Sequence, residues 1–303
     1  MFIHIIVFIL HTFPLLFPFL SLTLPLVLTA TGYLASKNTY RRLWETNQMI
    51  MDCLEPASLT PLSGLGWQSC LRVRFLHCKV RTRLSKSPRW DTSAWGVPIN
   101  QEDMAVTILA FQYNILFVFD VLGIATTAQE REDYTHLWRF IAHLMGVLDE
   151  HNACASFARS RSYLESIVMH LIDPDETSRY LANHVIASVQ NRPPVFWSYS
   201  MHAQLARMLM GDELADKLHL PNSAFFAAVH HVHFMMIRAV SALSDAPWGV
   251  GERVQRRNLE MVKGAIRRGL GGERTNFTMS RAFGRRGKGM IEEDKEDMGI
   301  CHF

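Results

Sequence analysis

Leu71-Arg-Val-Arg-Phe-Leu-His-Cys-Lys-Val-Arg81 is the stretch from which the organisation of the chain is best approached. Its histidine, His77, follows Arg74 by three residues and precedes Arg81 by four. In a helix those offsets place all three side chains on one face. Leu71, Val73, Phe75, Leu76, Val80 and Leu84 supply an apolar surround. A neutral imidazole between two guanidiniums can ligate a metal while the arginines hold a dianionic cofactor. Haem, with one iron and two propionates, is such a cofactor. The plainer alternative is a partly buried histidine with two surface arginines, and spacing alone leaves both readings open.

The rest of the composition narrows the class. A chain of 303 residues can bury a sizeable core. It is 49% hydrophobic and only 19% charged, which points to membrane contact or a large apolar pocket. A formal net charge of +3, with the basic residues concentrated late in the chain, gives no general support for nucleic-acid binding. Cys53, Cys70, Cys78, Cys154 and Cys301 are scattered, odd in number and without a CxxC pair. That pattern predicts reduced thiols on the cytosolic side rather than a disulfide scaffold or zinc knuckle.

Met1 to Ser36 contains no Asp, Glu, Lys or Arg. Its apolar run continues to Leu28, long enough for the roughly 20 residues a bilayer crossing needs. Pro14, Pro18 and Pro25 would kink such a helix, which membrane helices tolerate. The first charges are Lys37, Arg41 and Arg42, all basic, placing the bulk of the chain in the cytosol. Residues 1–23 are therefore expected to anchor the protein in a membrane. The alternative is that part of the stretch is a buried helix of the domain.

From there to about residue 270 the periodicity predicts an all-α domain, spanning 24–270. Helices are expected over Asn38–Leu54, through His77 to before Pro88, from Asn100 to Gly123, and over Gln129–Leu148. Further ones follow over Ala155–Leu171, Pro174–Val189, Val195–Met210 and Ser223–Leu243, and a last basic one carries Arg253 to Arg268. Trp95 to Asn100 is expected to turn. Asn100 followed by Glu102 and Asp103 is a strong helix start. Residues 271–303 are Gly/Arg-rich, then acidic, and are expected to be a disordered tail.

No GxSxG elbow, P-loop or HExxH is present. His230-His231-Val-His233 lacks a nearby Asp, Glu or Cys to complete a ligand set, so these are expected to be pocket or surface histidines. His136 and His143, seven apart, are expected to line a pocket or pair in the core.

Several segments together resemble one family, the ER-bound oxygenase MpaB and rubber oxygenase (latex-clearing protein) catalytic domain. They are Arg42-Leu-Trp-Glu-Thr46, then Arg74-Phe-Leu-His-Cys-Lys-Val-Arg81, then Trp95-Gly-Val-Pro-Ile-Asn-Gln-Glu-Asp-Met-Ala-Val-Thr107 and Tyr134-Thr-His-Leu-Trp-Arg-Phe-Ile-Ala-His-Leu-Met-Gly146. The likeness covers most of the span from Leu24 to Leu243. It implies a globin-like helical domain carrying haem b, with His77 as the ligand to the iron and Arg74 and Arg81 as the arginines around the haem. Arg42 and Thr46 match distal positions, where a hydroxyl can hydrogen-bond dioxygen. The rubber oxygenases have a lysine directly before that threonine; this chain has Glu45, which sets it nearer the MpaB branch. Glu45 is expected either to act as a base near the iron or to pair with Arg41 or Arg42. The activity the resemblance implies is cleavage of an isoprenoid C=C bond by dioxygen, with a lipophilic substrate and an endoplasmic-reticulum membrane as partners. A non-catalytic membrane-associated protein of the same fold, binding a lipid or a protein partner, stays open beside it.

Overall fold

The computed structural model describes Val27 and residues 39–170, 172–193, 196–244 and 249–275. Among these residues the regular elements are all helical. They are α1 (Thr39–Leu54), α2 (Leu65–Ser85), α3 (Thr92–Trp95), α4 (Gln101–Phe111), α5 (Tyr113–Leu122) and α6 (Ala128–Met145). After two 3-10 turns come α7 (Phe157–His170), α8 (Glu176–Val189), α9 (Tyr199–Met210), α10 (Asp212–Lys217), α11 (Ala224–Ser244) and α12 (Val250–Gly269).

Of the charge-free N-terminal stretch only Val27 is described. It is helical and buried in the main core. The expected membrane segment and most of the expected tail lie outside the described residues. Residues 271–275, assigned above to the tail, fold back on α1. Arg274 pairs with Asp52, and Thr275 exchanges two hydrogen bonds with the Gln48 side chain, at 2.9 and 3.0 Å.

The main core is built on α4, α5 and α6, whose apolar spacing closes around Leu109, Ile115, Leu116, Phe119, Tyr134, Trp138 and Ile141. Each is essentially removed from water, a burial worth about 1.5–3 kcal/mol per large side chain. Phe111 stacks on Trp138 with ring centroids 5.6 Å apart. A smaller core joins α1 to α12 through Trp44, Met51, Val262 and Ile266. α2 lies between α1 on one side and α6 on the other.

Asn100 starts α4 as its sequence predicts. Its side chain accepts from the Asp103 N–H at 2.9 Å, and Asp103 accepts from the Asn100 N–H at 3.1 Å. The single helix expected from Asn100 to Gly123 is instead two, broken at Gln112. The cause is a tertiary hydrogen bond: the Tyr134 hydroxyl donates to the Phe111 carbonyl at 2.8 Å. Gln112 is fully buried and donates to Thr135 Oγ1 at 2.7 Å. A side-chain network from α6 thus supplants one step of the helical ladder.

α1 and α2 approach closely at Gly66, where an added Cβ would lie 2.7 Å from the Asp52 carbonyl oxygen and 2.8 Å from Cys53 Cα. Both are backbone atoms and cannot yield cheaply. Gly66→Ala should therefore lower the unfolding free energy by about 2 kcal/mol, measured by urea denaturation. Gly264→Ala, facing only the Arg268 guanidinium at 3.4 Å, should be neutral or raise it by up to about 1 kcal/mol through helix propensity. Equal effects at both sites would refute this close approach.

Candidate active site

The hairpin of α1 and α2 is registered by two contacts. Cys53 Sγ lies 3.5 Å from Cys70 Sγ, and Ser69 Oγ donates to Asp52 Oδ2 at 2.9 Å. Because the helices run antiparallel, Thr46 and His77 each stand seven residues, about two turns, from the thiol contact. Two turns return a side chain to nearly the same face of its helix as the thiol contact. The hairpin is tight at Ser69 and Cys70, which are buried, and accessible from Leu71 through Arg83.

His77 combines two properties. The residue is half-buried as a whole, while Nδ1 is enclosed and makes no hydrogen bond. Burial, reinforced by the positive charge of Arg81, lowers its pKa from 6.5 to about 4. At neutral pH the imidazole is therefore uncharged and retains a lone pair for a metal. The donor chemistry fits a haem iron, which needs one protein nitrogen because the porphyrin supplies the equatorial four. The described residues contain no group of three or more His, Cys, Asp or Glu placed to hold a bare ion.

The flanking arginines reach main chain. Arg81 donates from Nη2 to the Ile99 carbonyl at 2.5 Å and from Nε to the Pro98 carbonyl at 3.3 Å. Arg74 donates from Nη1 to the Leu144 carbonyl at 3.5 Å and lies along Gly146, whose Cβ position would be 3.1 Å from Arg74 Nε. Gln101 closes the set, donating to the Gly146 carbonyl at 3.1 Å and accepting from the Leu148 N–H at 2.9 Å. The three segments around His77, Pro98–Thr107 and Tyr134–Gly146, far apart in sequence, are thus tied pairwise to one another. Ile99 has φ 53°, unfavourable for a β-branched residue, and its carbonyl is the one Arg81 holds. Through these hydrogen bonds the guanidiniums brace the helix that carries His77.

On α1, Glu45 is buried and paired with both arginines considered above, Arg42 Nη1 at 2.6 Å and Arg41 Nε at 3.2 Å. Of the two roles expected for Glu45, the geometry shows pairing. The Thr46 hydroxyl donates to the Arg42 carbonyl at 3.1 Å, which leaves its oxygen free to accept. Asp52, Ser69 and Gln101 were not singled out by sequence. Asp52 is buried between Ser69 and Arg274, and burial raises its pKa despite the guanidinium. Their signal lay only in the spacing of Asp52 and Ser69 about a loop and in Gln101 inside the Asn100 cap.

Other expectations resolve simply. His230 is buried, with Nε2 2.8 Å from the Met201 carbonyl and its ring against Trp197; His231 is exposed. His136 and His143 are exposed on α6, not lining a pocket or the core as expected, because that face of α6 turns away from Tyr134 and Trp138. Cys53, Cys70 and Cys154 are free and buried, as expected. A pocket of about 550 Å³ lies at the C-terminal end of α1, lined by Met51, Leu54, Leu59, Leu137 and Leu259, away from His77.

Residues 13–240 match the model of the family described as ER-bound oxygenase mpaB/B'/rubber oxygenase, catalytic domain. A rubber oxygenase from Streptomyces sp. (strain K30) is 26% identical over 160 residues, covering 50% of this chain and 37% of that protein. The chain thus matches little more than a third of the length of that relative. A solved structure of latex clearing protein LCP in the closed state superposes with a TM-score of 0.67 at 17% identity, covering 86% of this chain and 70% of that one. At that identity the superposition speaks to the fold.

The His77 environment makes stability pH-dependent with a definite sign. The unfolded chain binds a proton here below about pH 6.5, the folded one only below about 4. The contribution is complete above the upper value and is lost as pH falls toward the lower. Between about pH 7 and about pH 4.5, without added cofactor, the wild type should lose about 2 kcal/mol more unfolding free energy than His77→Gln. Parallel losses in urea denaturation would show that His77 titrates normally.

Proposed function

The chain belongs to the ER-bound oxygenase MpaB and rubber oxygenase catalytic-domain family, and from that membership we propose a haem-dependent oxygenase that cleaves a C=C bond of a lipophilic, isoprenoid-type small molecule with dioxygen. The observation that carries this reading is His77 itself: an uncharged imidazole with an unpartnered, enclosed Nδ1, on a helix braced by Arg74 and Arg81. Haem b, when bound, supplies the iron at which dioxygen is activated. His77 holds that iron in a globin-like helical domain. Thr46, on α1, offers its hydroxyl to dioxygen. Arg42 is oriented for the same side by Glu45, whose carboxylate is held by two guanidiniums and so serves as an anchor rather than a free base.

The substrate class and the front of the chain support each other. An isoprenoid alkene partitions into a bilayer, and residues 1–23 provide an anchoring segment for the endoplasmic-reticulum membrane with the domain in the cytosol. The Glu45 position departs from the lysine of rubber oxygenases, so a carboxylate rather than an amine stands there.

Haem-loaded protein incubated with an isoprenoid alkene and isotope-labelled dioxygen should yield carbonyl products carrying the label. Loaded wild type that forms none with any terpenoid tried would overturn the reading in favour of a binding protein. Thr46→Val should lower turnover about tenfold or more, the scale of one lost hydrogen bond in the transition state, with haem content unchanged. Equal loss of haem and turnover would make Thr46 structural.

A further inference from the structure

α11 is long and apolar, yet little of it is covered. Phe225, Val232, Met235, Met236, Ala239 and Leu243 fall within an arc of about 100° on a helical wheel. Phe225 is 71% exposed, Met236 62% and Met235 58%. No charged residue interrupts this stripe over about 27 Å of helix. The opposite face is committed to the protein: His230, Phe234 and Ser241 are buried, and His230 meets the Met201 carbonyl on α9. At the edge, Arg238 is fixed by donating to the Leu122 carbonyl at the end of α5. With one side packed, α11 cannot be surrounded by lipid as a spanning helix is; it can only lie along an interface.

The neighbouring helix names the partner. α12 follows α11 and packs against it. Its inward face, Val262, Ala265 and Ile266, seals the smaller core on α1. Its outward face exposes Arg253, Arg256, Arg257, Arg267 and Arg268, against two exposed carboxylates, Glu252 and Glu260. The ion pair of this helix among the described residues is Lys263 with Glu55, which leaves those five arginines out. A second copy carries the same positive charge and offers the arginine face no complement. An anionic bilayer meets both features at once, apolar depth for the stripe and phosphates for the guanidiniums.

We propose that α11 and α12 form a docking surface for an anionic lipid membrane, the stripe from Phe225 to Leu243 entering the interface and the α12 arginines meeting the headgroups. This docking does not depend on the chemistry that occurs at His77. It sets one face of the domain against the bilayer in which a lipophilic substrate would dissolve.

The test uses the full chain on vesicles, with a photoreactive benzoylphenylalanine in place of Met235 or, as comparison, of Phe140 on α6, which is also exposed. Because any N-terminal anchor would hold every variant on the vesicle, the readout is lipid adduct at the labelled position rather than pelleting. On vesicles of phosphatidylcholine with about one part in four phosphatidylserine, position 235 should give lipid adducts and position 140 should not. Phosphatidylcholine alone, or Arg256→Glu with Arg257→Glu, should cut the adduct at least about fivefold. Both arginines are exposed, so the pair of substitutions leaves the fold intact. Equal adducts at both positions, adducts indifferent to charge, adducts to a second copy of the chain, or none at position 235 would each overturn the proposal.

Discussion

Arg81 holding the Ile99 carbonyl is the contact on which the candidate site depends. It joins the helix that carries His77 to the turn that starts α4, at a residue whose backbone is held at positive φ. A left-handed β-branched residue costs about 1–3 kcal/mol, and hydrogen bonds from a charged donor contribute about as much in return. Arg74 does the corresponding work at the end of α6, where Gly146 leaves room for its side chain. With Gln101 bridging α4 to the same end of α6, three separated segments become one rigid unit. A metal-ligating histidine needs such a unit behind it, because its ring must be held still while the ligand chemistry proceeds.

The same constraint explains which parts of the protein sequence reasoning reaches. The His77 face, the Asn100 cap and the amphipathic spacing of α6 are local patterns, and the structure keeps them. The break at Gln112 is not local. It arises because a tyrosine hydroxyl twenty-three residues away takes the Phe111 carbonyl, and helical periodicity carries no trace of that bond. The partners of Arg81 and Arg74 are likewise main-chain carbonyls, which have no identity in a sequence. Spacing therefore could not show these peptide contacts. Asp52 with Arg274 escaped notice for the same reason, being joined across 222 positions of the chain. Short elements such as α3 and α10 are set by their caps and neighbours rather than by an apolar period.

The seam of α1 and α2 gives the candidate site its two sides. The contacts at Cys53 with Cys70 and at Asp52 with Ser69 join the two helices and set their register. Residues 273–275 reinforce α1 from behind by holding Asp52 and Gln48. Glu45, where relatives of the rubber oxygenase type carry lysine, is tied to Arg41 and Arg42 and kept as a salt-bridged carboxylate.

Haem binding through His77 is the central claim, and an absorption titration tests it most directly. Hemin added to the purified chain should saturate at one equivalent and give a Soret band of a histidine-ligated haem protein. His77→Ala should lose that band, and exogenous imidazole should restore it by filling the cavity left by the side chain. A wild type that stays spectrally indistinguishable from free hemin, or a His77→Ala protein with an unchanged band, would contradict the account.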